Sequence, residues 1–178
     1  DELNDLCPRD GWPTVLMVHG GGWVEGSCQD YTHLAPLFAR RGIMACSMNY
    51  RLAPDNRWPS QRDDIFSALD FLRSQQVDLK RLAIWGDSAG AHMALHAALH
   101  YPHPIAAVVA IGAPTDLSHL PFTLWGPAFH EDQLSKASAA LATASLISFV
   151  DASMTSALCS PVAGLNTFPT LFELPENN

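Results

Sequence analysis

Residues 81–100 read RLAIWGDSAGAHMALHAALH. Arg81–Trp85 is a short, largely apolar run suited to a buried strand, and Ser88–His100 is alanine-rich and helical in character. Between them stands Gly86-Asp87-Ser88-Ala89-Gly90, a G-x-S-x-G. A strand that passes into a helix this quickly needs a tight turn, and the residues flanking the serine must be glycine or very small. The turn lifts Ser88 to the top of the sheet at the start of the next helix. There the helix end and the Ala89 N–H can meet developing negative charge. A random chain of this length contains G-x-S-x-G about 6% of the time at average composition, so the motif alone decides little. The strand before it and the helix after it carry the weight.

The pattern extends outward on both sides. Thr14–His19 and Ile43–Tyr50 read as buried strands, as does the Val- and Ile-rich Ile105–Ile111. Gln29–Arg41 has helical spacing of Leu34, Leu37 and Phe38, ended by Gly42. Pro59–Gln75 reads as a helix with Ile65, Leu69 and Leu72 on one face and Asp63 and Asp64 near its start, where the helix dipole favours them. Strands apolar on both faces, separated by helices, predict a mostly parallel sheet with helices on both faces. After Pro114 the pattern loosens. Residues 117–158 are expected to form a small cap or crossover, with helix-like spacing over Gln133–Phe149, and Phe168–Leu174 is expected as a fifth strand.

His19-Gly20-Gly21-Gly22-Trp23 follows the first strand. A glycine run there leaves backbone N–H groups able to point at a ligand. The co-occurrence of both motifs, in this order and each after a strand, has a chance frequency well below about one in a thousand.

With both motifs in place, the chain resembles the hormone-sensitive-lipase and carboxylesterase branch of the α/β-hydrolases. The resemblance rests on His19–Trp23, on Tyr50-Arg51-Leu52-Ala53-Pro54, on Pro59–Leu72, on Asp78–Gly90, and on Ser160-Pro161 and Phe168-Pro169-Thr170-Leu171. It covers nearly the whole chain and is weakest across 117–158. It implies a serine esterase working through an acyl-enzyme. Ser88 is the expected nucleophile, and Gly21, Gly22 and Ala89 are the expected oxyanion donors. His19 is expected to hold its loop and Asp87 to support the turn. The expected substrate is an uncharged small-molecule ester, and no metal or organic cofactor is implied.

The family pattern places the acid after strand seven and the histidine after strand eight. Here Phe168–Leu174 is followed only by Pro175-Glu176-Asn177-Asn178, and the last histidine is His130. Two family strands normally precede the H-G-G-G strand, yet only residues 1–13 stand before it. The expectation is a single α/β-hydrolase domain over 1–178, incomplete at both ends and lacking triad acid and histidine. Its strand edges, 43–50 and 168–174, would then invite self-association. Asp116 reads as a loop aspartate, and Glu173 and Glu176 are out of register for the acid. His119 and His130 are the histidines of the cap region. His92, His96 and His100 recur every four residues and read as a partly exposed helix face rather than a metal site. Two alternatives stand beside the esterase: a non-catalytic binding protein on a hydrolase scaffold, and an amidase of the kynurenine-formamidase kind.

Composition excludes other classes. Net charge is −8, with no basic stripe of the kind nucleic acid or anionic membrane requires. No apolar stretch is long enough to span a bilayer, and no signal peptide opens the chain. The four cysteines, Cys7, Cys28, Cys46 and Cys159, have no metal-type spacing, so reduced thiols in a cytoplasmic protein are the expectation.

Overall fold

Strand β1 (Trp12–Val18) is buried at every position from Pro13 to Val18, which a strand achieves only with neighbours on both edges and cover on both faces. The computed structural model, which describes residues 7–117, 121, 123 and 126–130, supplies both. β1 pairs in parallel with β2 (Met44–Met48) on one side and with β3 (Val77–Asp87) on the other. β3 pairs in parallel with β4 (Ala107–Ile111), so the order is β2-β1-β3-β4. The four strands read from residues 14–111 are all present. The expected strand Phe168–Leu174, the helix-like Gln133–Phe149 and most of the expected cap lie outside the described residues.

Side-chain alternation in β1 separates two cores. Leu16 and Val18 face one layer, built by helices α2 (Ser60–Arg73) and α3 (Ala89–His100). Val15 and Met17 face the other, with Tyr31, Ile43, Leu34 and Phe38. In α2 the buried residues Ile65, Ala68, Leu69 and Leu72 repeat at three and four positions, which puts them on one stripe. Asp64 accepts from the Arg51 N–H at 2.8 Å and from its guanidinium at 2.8–3.1 Å. Buried Gln61 donates to the carbonyls of Arg51 at 2.9 Å and Asn56 at 2.6 Å. The start of α2 thereby fixes the Tyr50–Pro54 stretch.

Two expectations need correction. Gln29–Arg41 is not one helix. It divides into a 3-10 turn (Cys28–Tyr31) and the short α1 (Ala35–Ala39). Pro36 has no N–H, and its ring would clash with a carbonyl four residues back, so a helix can begin there but not run through it. Ser27 and Asp30 cap the 3-10 turn through Gln29 N–H to Ser27 Oγ at 3.3 Å and Ser27 N–H to Asp30 Oδ2 at 3.1 Å.

Nor are the α3 histidines a partly exposed face. His92 is 0% exposed and His96 is also buried; only His100 is exposed. Trp58 covers both, with ring centroids at 5.4 Å from His92 and 4.8 Å from His96. The alanines of α3 allow this, because they leave space over the helix that Trp58, Trp23 and Phe129 fill. Among the described residues no helix is long and apolar enough to cross a membrane.

Burial holds both imidazoles neutral. Desolvation, with a lesser contribution from His96, lowers His92 to about 3. Desolvation, with His100 and Arg62 adding, lowers His96 to about 4. An unfolded histidine takes up its proton near about 6.5. Between that pH and the folded values the unfolded chain binds more protons, so stability falls as pH drops. Urea unfolding at pH 7 and pH 5 should show a loss of up to about 2 kcal/mol per histidine. His92→Phe should remove the His92 share; an unchanged pH slope in that variant would refute the assignment.

Candidate active site

The strand order reverses between β1 and β3, and in open α/β sheets the crevice beyond the carboxyl ends at such a reversal is where ligands bind. Both glycine-bearing motifs emerge there. Ser88 follows the last residue of β3 and caps α3 with φ 49° and ψ −119°. A non-glycine residue in that region costs about 1–3 kcal/mol and persists only where its surroundings enforce it. They do so from both sides. The Ser88 N–H donates to the Ile111 carbonyl of β4 at 2.8 Å, and the Ser88 carbonyl accepts from the His92 N–H at 3.0 Å. The Ser88 side is exposed, and its hydroxyl has no hydrogen-bond partner among the described residues.

The flanking glycines are required by close backbone approach. A Cβ at Gly86 would lie 2.4 Å from the backbone of Gly90. A Cβ at Gly90 would lie 2.0 Å from the Val18 carbonyl oxygen and 2.6 Å from that of His19. The elbow is thus pressed directly onto the end of β1, where the second loop starts.

That loop makes one left-handed turn. Gly21, Gly22 and Trp23 have φ of 99°, 58° and 64°. The N–H groups of Val24 and Glu25 both donate to the Gly21 carbonyl, at 3.0 and 3.1 Å. In such a turn the leading N–H groups have no partner inside it, as at the start of any helical turn. The N–H groups of Gly21, Gly22 and Ala89 donate to no described residue. Gly20 lies against the elbow: a Cβ there would meet Asp87 Oδ2 at 2.7 Å.

Three side chains hold the loop's carbonyls from behind. His19 Nδ1–H donates to the Gly20 carbonyl at 2.8 Å, and its ring stacks on Tyr50 at 4.1 Å and 15°. Burial lowers the His19 pKa, which keeps the ring neutral. The Tyr50 hydroxyl donates to the carbonyls of His19 and Gly20, each at 3.0 Å. The Tyr31 hydroxyl donates to the Asp87 carboxylate, with the Val18 carbonyl 3.2 Å away. Burial raises both tyrosine pKa values, so both remain donors. Tyr50 opens the Tyr50–Pro54 motif on which the family resemblance partly rests. Tyr31 carries no such signal, because its partner Asp87 lies 56 positions further along the chain.

Of the remaining candidates, Asp116, after β4, and His130 are exposed. His119, Glu173 and Glu176 lie outside the described residues. Among the described residues no three His, Cys, Asp or Glu side chains converge to hold a metal.

A parallel sheet with a strained serine at a strand–helix turn, beside a glycine turn at the switch point, defines the architecture of an α/β-hydrolase. The family model for the alpha/beta hydrolase fold matches residues 15–175, and the chain belongs to that family. Arylacetamide deacetylase of Oryctolagus cuniculus is similar, at 39% identity over 89 residues, covering 45% of this chain and 22% of that protein. So is probable carboxylesterase 6 of Arabidopsis thaliana, at 35% over 103 residues, 52% of this chain and 31% of that one. The chain matches well under half the length of either curated relative. The crystal structure of a thermostable carboxylesterase cloned from a metagenomic library superposes with a TM-score of 0.56 at 30% identity, over 62% of this chain and 41% of that one.

Gly90→Ala should test the contact that joins the two motifs. The added carbon meets backbone on β1 rather than a movable side chain. A loss of about 2–4 kcal/mol in urea unfolding is expected. A change below about 0.5 kcal/mol would mean that the elbow does not bear on β1.

Proposed function

We propose that this chain carries the acyl-transfer machinery of a carboxylic-ester hydrolase, with Ser88 as nucleophile and the N–H groups of Gly21, Gly22 and Ala89 as oxyanion donors. The observation that carries the reading is the exposed, strained Ser88 at the N-terminus of α3, pressed against a loop whose leading N–H groups donate to no described residue. The named relatives support it, since they are called a carboxylesterase and a deacetylase.

In the reaction, Ser88 Oγ attacks the ester carbonyl carbon and the carbonyl electron pair moves onto oxygen. The three N–H groups donate to that oxyanion in a geometry already built, so no reorganisation is needed as charge develops. A histidine takes the Ser88 proton and returns it to the departing alkoxide as the C–O bond breaks, leaving the acyl-enzyme. Water then attacks the acyl carbon by the same route and frees the acid. The resemblance puts the histidine and its acid after later strands of the sheet. Within this sequence, His119 and His130 are the histidines to test for the role. His92 and His96 are sealed against Trp58, and His19 is committed to Gly20. No step requires a metal or organic cofactor.

The same chemistry cleaves an activated amide, and the relative named for an arylacetamide favours including one. Hydrolysis of a short-chain p-nitrophenyl ester and of an N-aryl acetamide should be followed beside Ser88→Ala. Ester turnover that disappears in the variant is expected, falling by at least about 1,000-fold. A single burst of p-nitrophenol, without turnover, would place the base elsewhere than in these residues. Release that is equal in both proteins would remove Ser88 from the chemistry and leave the binding-protein reading.

A further inference from the structure

Trp23 is a bulky residue in the left-handed region at φ 64°, directly after the glycine turn. Such a conformation is ordinary for glycine and rare for a large side chain. If only the path of the backbone mattered at position 23, glycine would serve better. The ring must therefore be held by something, and the structure shows what. Trp23 is 3% exposed. Its ring meets His92 edge-on at 5.4 Å and Phe129 edge-on at 4.9 Å. Its carbonyl accepts from the Ala53 N–H at 2.9 Å. The residue is clamped through its side chain by α3 and through its backbone by the Tyr50–Pro54 stretch.

His92 closes the path back to the serine. It lies one helical turn beyond Ser88 and donates its N–H to the Ser88 carbonyl. Among the described residues neither of its ring nitrogens has a hydrogen-bond partner, so what the imidazole offers Trp23 is a flat surface at a fixed place. Covalent continuity links Trp23 to Gly22, the ring contact links Trp23 to His92, and the first turn of α3 links His92 to Ser88. The chain of contacts is short, and its two ring-bearing members, Trp23 and His92, are buried.

Resting on the esterase reading, we propose that Trp23 and His92 form a positioning pair that sets the Gly21 and Gly22 donors at their distance from Ser88. Neither residue touches the reacting atoms. Their work is to remove the freedom of a glycine turn that would otherwise sample many conformations, and an oxyanion donor is useful only when it is already aimed. Misplacement by about 1 Å is enough to cost about 100-fold in rate.

The test is the acylation rate constant with a short-chain p-nitrophenyl ester, read from the burst or from turnover, in Trp23→Gly, Trp23→Phe, His92→Ala and His92→Phe, with Ser88→Ala as the blank. Trp23→Gly keeps the backbone conformation open and removes only the ring. It should acylate about 10- to 100-fold more slowly with KM within about 2-fold, because the donors act on the transition state rather than on bound ester. Trp23→Phe should recover to within about 3-fold of the parent. His92→Ala should repeat the loss from the other side of the contact and His92→Phe should restore it, which only a packing role allows. Circular dichroism and urea midpoints select the variants that fold, and either member of the pair suffices. Trp23→Gly acylating like the parent, or folded His92→Ala doing so, overturns the inference while the esterase reading stands. Ser88-independent release in the parent overturns that reading first, and the pair with it.

Discussion

The structure depends on one contact, the approach of the Gly90 backbone to the Val18 and His19 carbonyls at the end of β1. It exists because β1 and β3 are neighbours with parallel direction, so both deliver their carboxyl ends to the same place. Parallel strands need crossovers, and the three here divide between the two faces, α2 and α3 over one and the 3-10 turn with α1 over the other. The crevice opens where they part. The elbow can press on the end of β1 only because Gly90 has no side chain there, and it can fold back on itself only because Gly86 has none against Gly90.

Strain is concentrated at this junction. Ser88 and Trp23 are the non-glycine residues with positive φ among those described, and each belongs to one of the two motifs. Ser88 is enforced by backbone bonds to β4 and to the next turn of α3. Trp23 is enforced by ring packing and one backbone bond. The difference fits their surroundings. The elbow sits among regular elements that offer carbonyls and N–H groups at fixed spacing, whereas Trp23 is held largely by buried aromatic surface. Tyr31, Tyr50 and His19 complete the arrangement by satisfying carbonyls on the far side, which leaves the near side's N–H groups as the unused set.

How much of this could be read beforehand follows from what each feature depends on. The strands were readable because parallel strands buried on both faces leave continuous apolar runs, and the two motifs because tight turns demand glycine at fixed offsets. The split of Gln29–Arg41 was readable in principle at Pro36, but the period of Leu34, Leu37 and Phe38 outweighed it. The α3 histidines were misjudged for a different reason. Among alanines a histidine every fourth residue looks like the polar stripe of an amphipathic helix, and nothing local says that Trp58, more than thirty positions earlier, will cover it. Tyr31 and the Trp23–His92 contact were out of reach for the same reason, since both are made by residues far apart in sequence.

His92 is fully buried, and among the described residues neither of its ring nitrogens is hydrogen-bonded. An imidazole with neither nitrogen bonded is a poor choice for a core, where a hydrocarbon of similar shape is no worse and often better. Its folded pKa near about 3 means that it does not serve as a proton carrier at neutral pH, so titration gives no reason for it to be there. What remains is its shape and its place. A flat ring on the first turn of α3, too small to displace Trp23 yet broad enough to meet its edge, couples a glycine loop to the helix that carries the serine. On the positioning proposal, the aromatic box over α3 belongs to the machinery that aims the site rather than to an inert filling behind it.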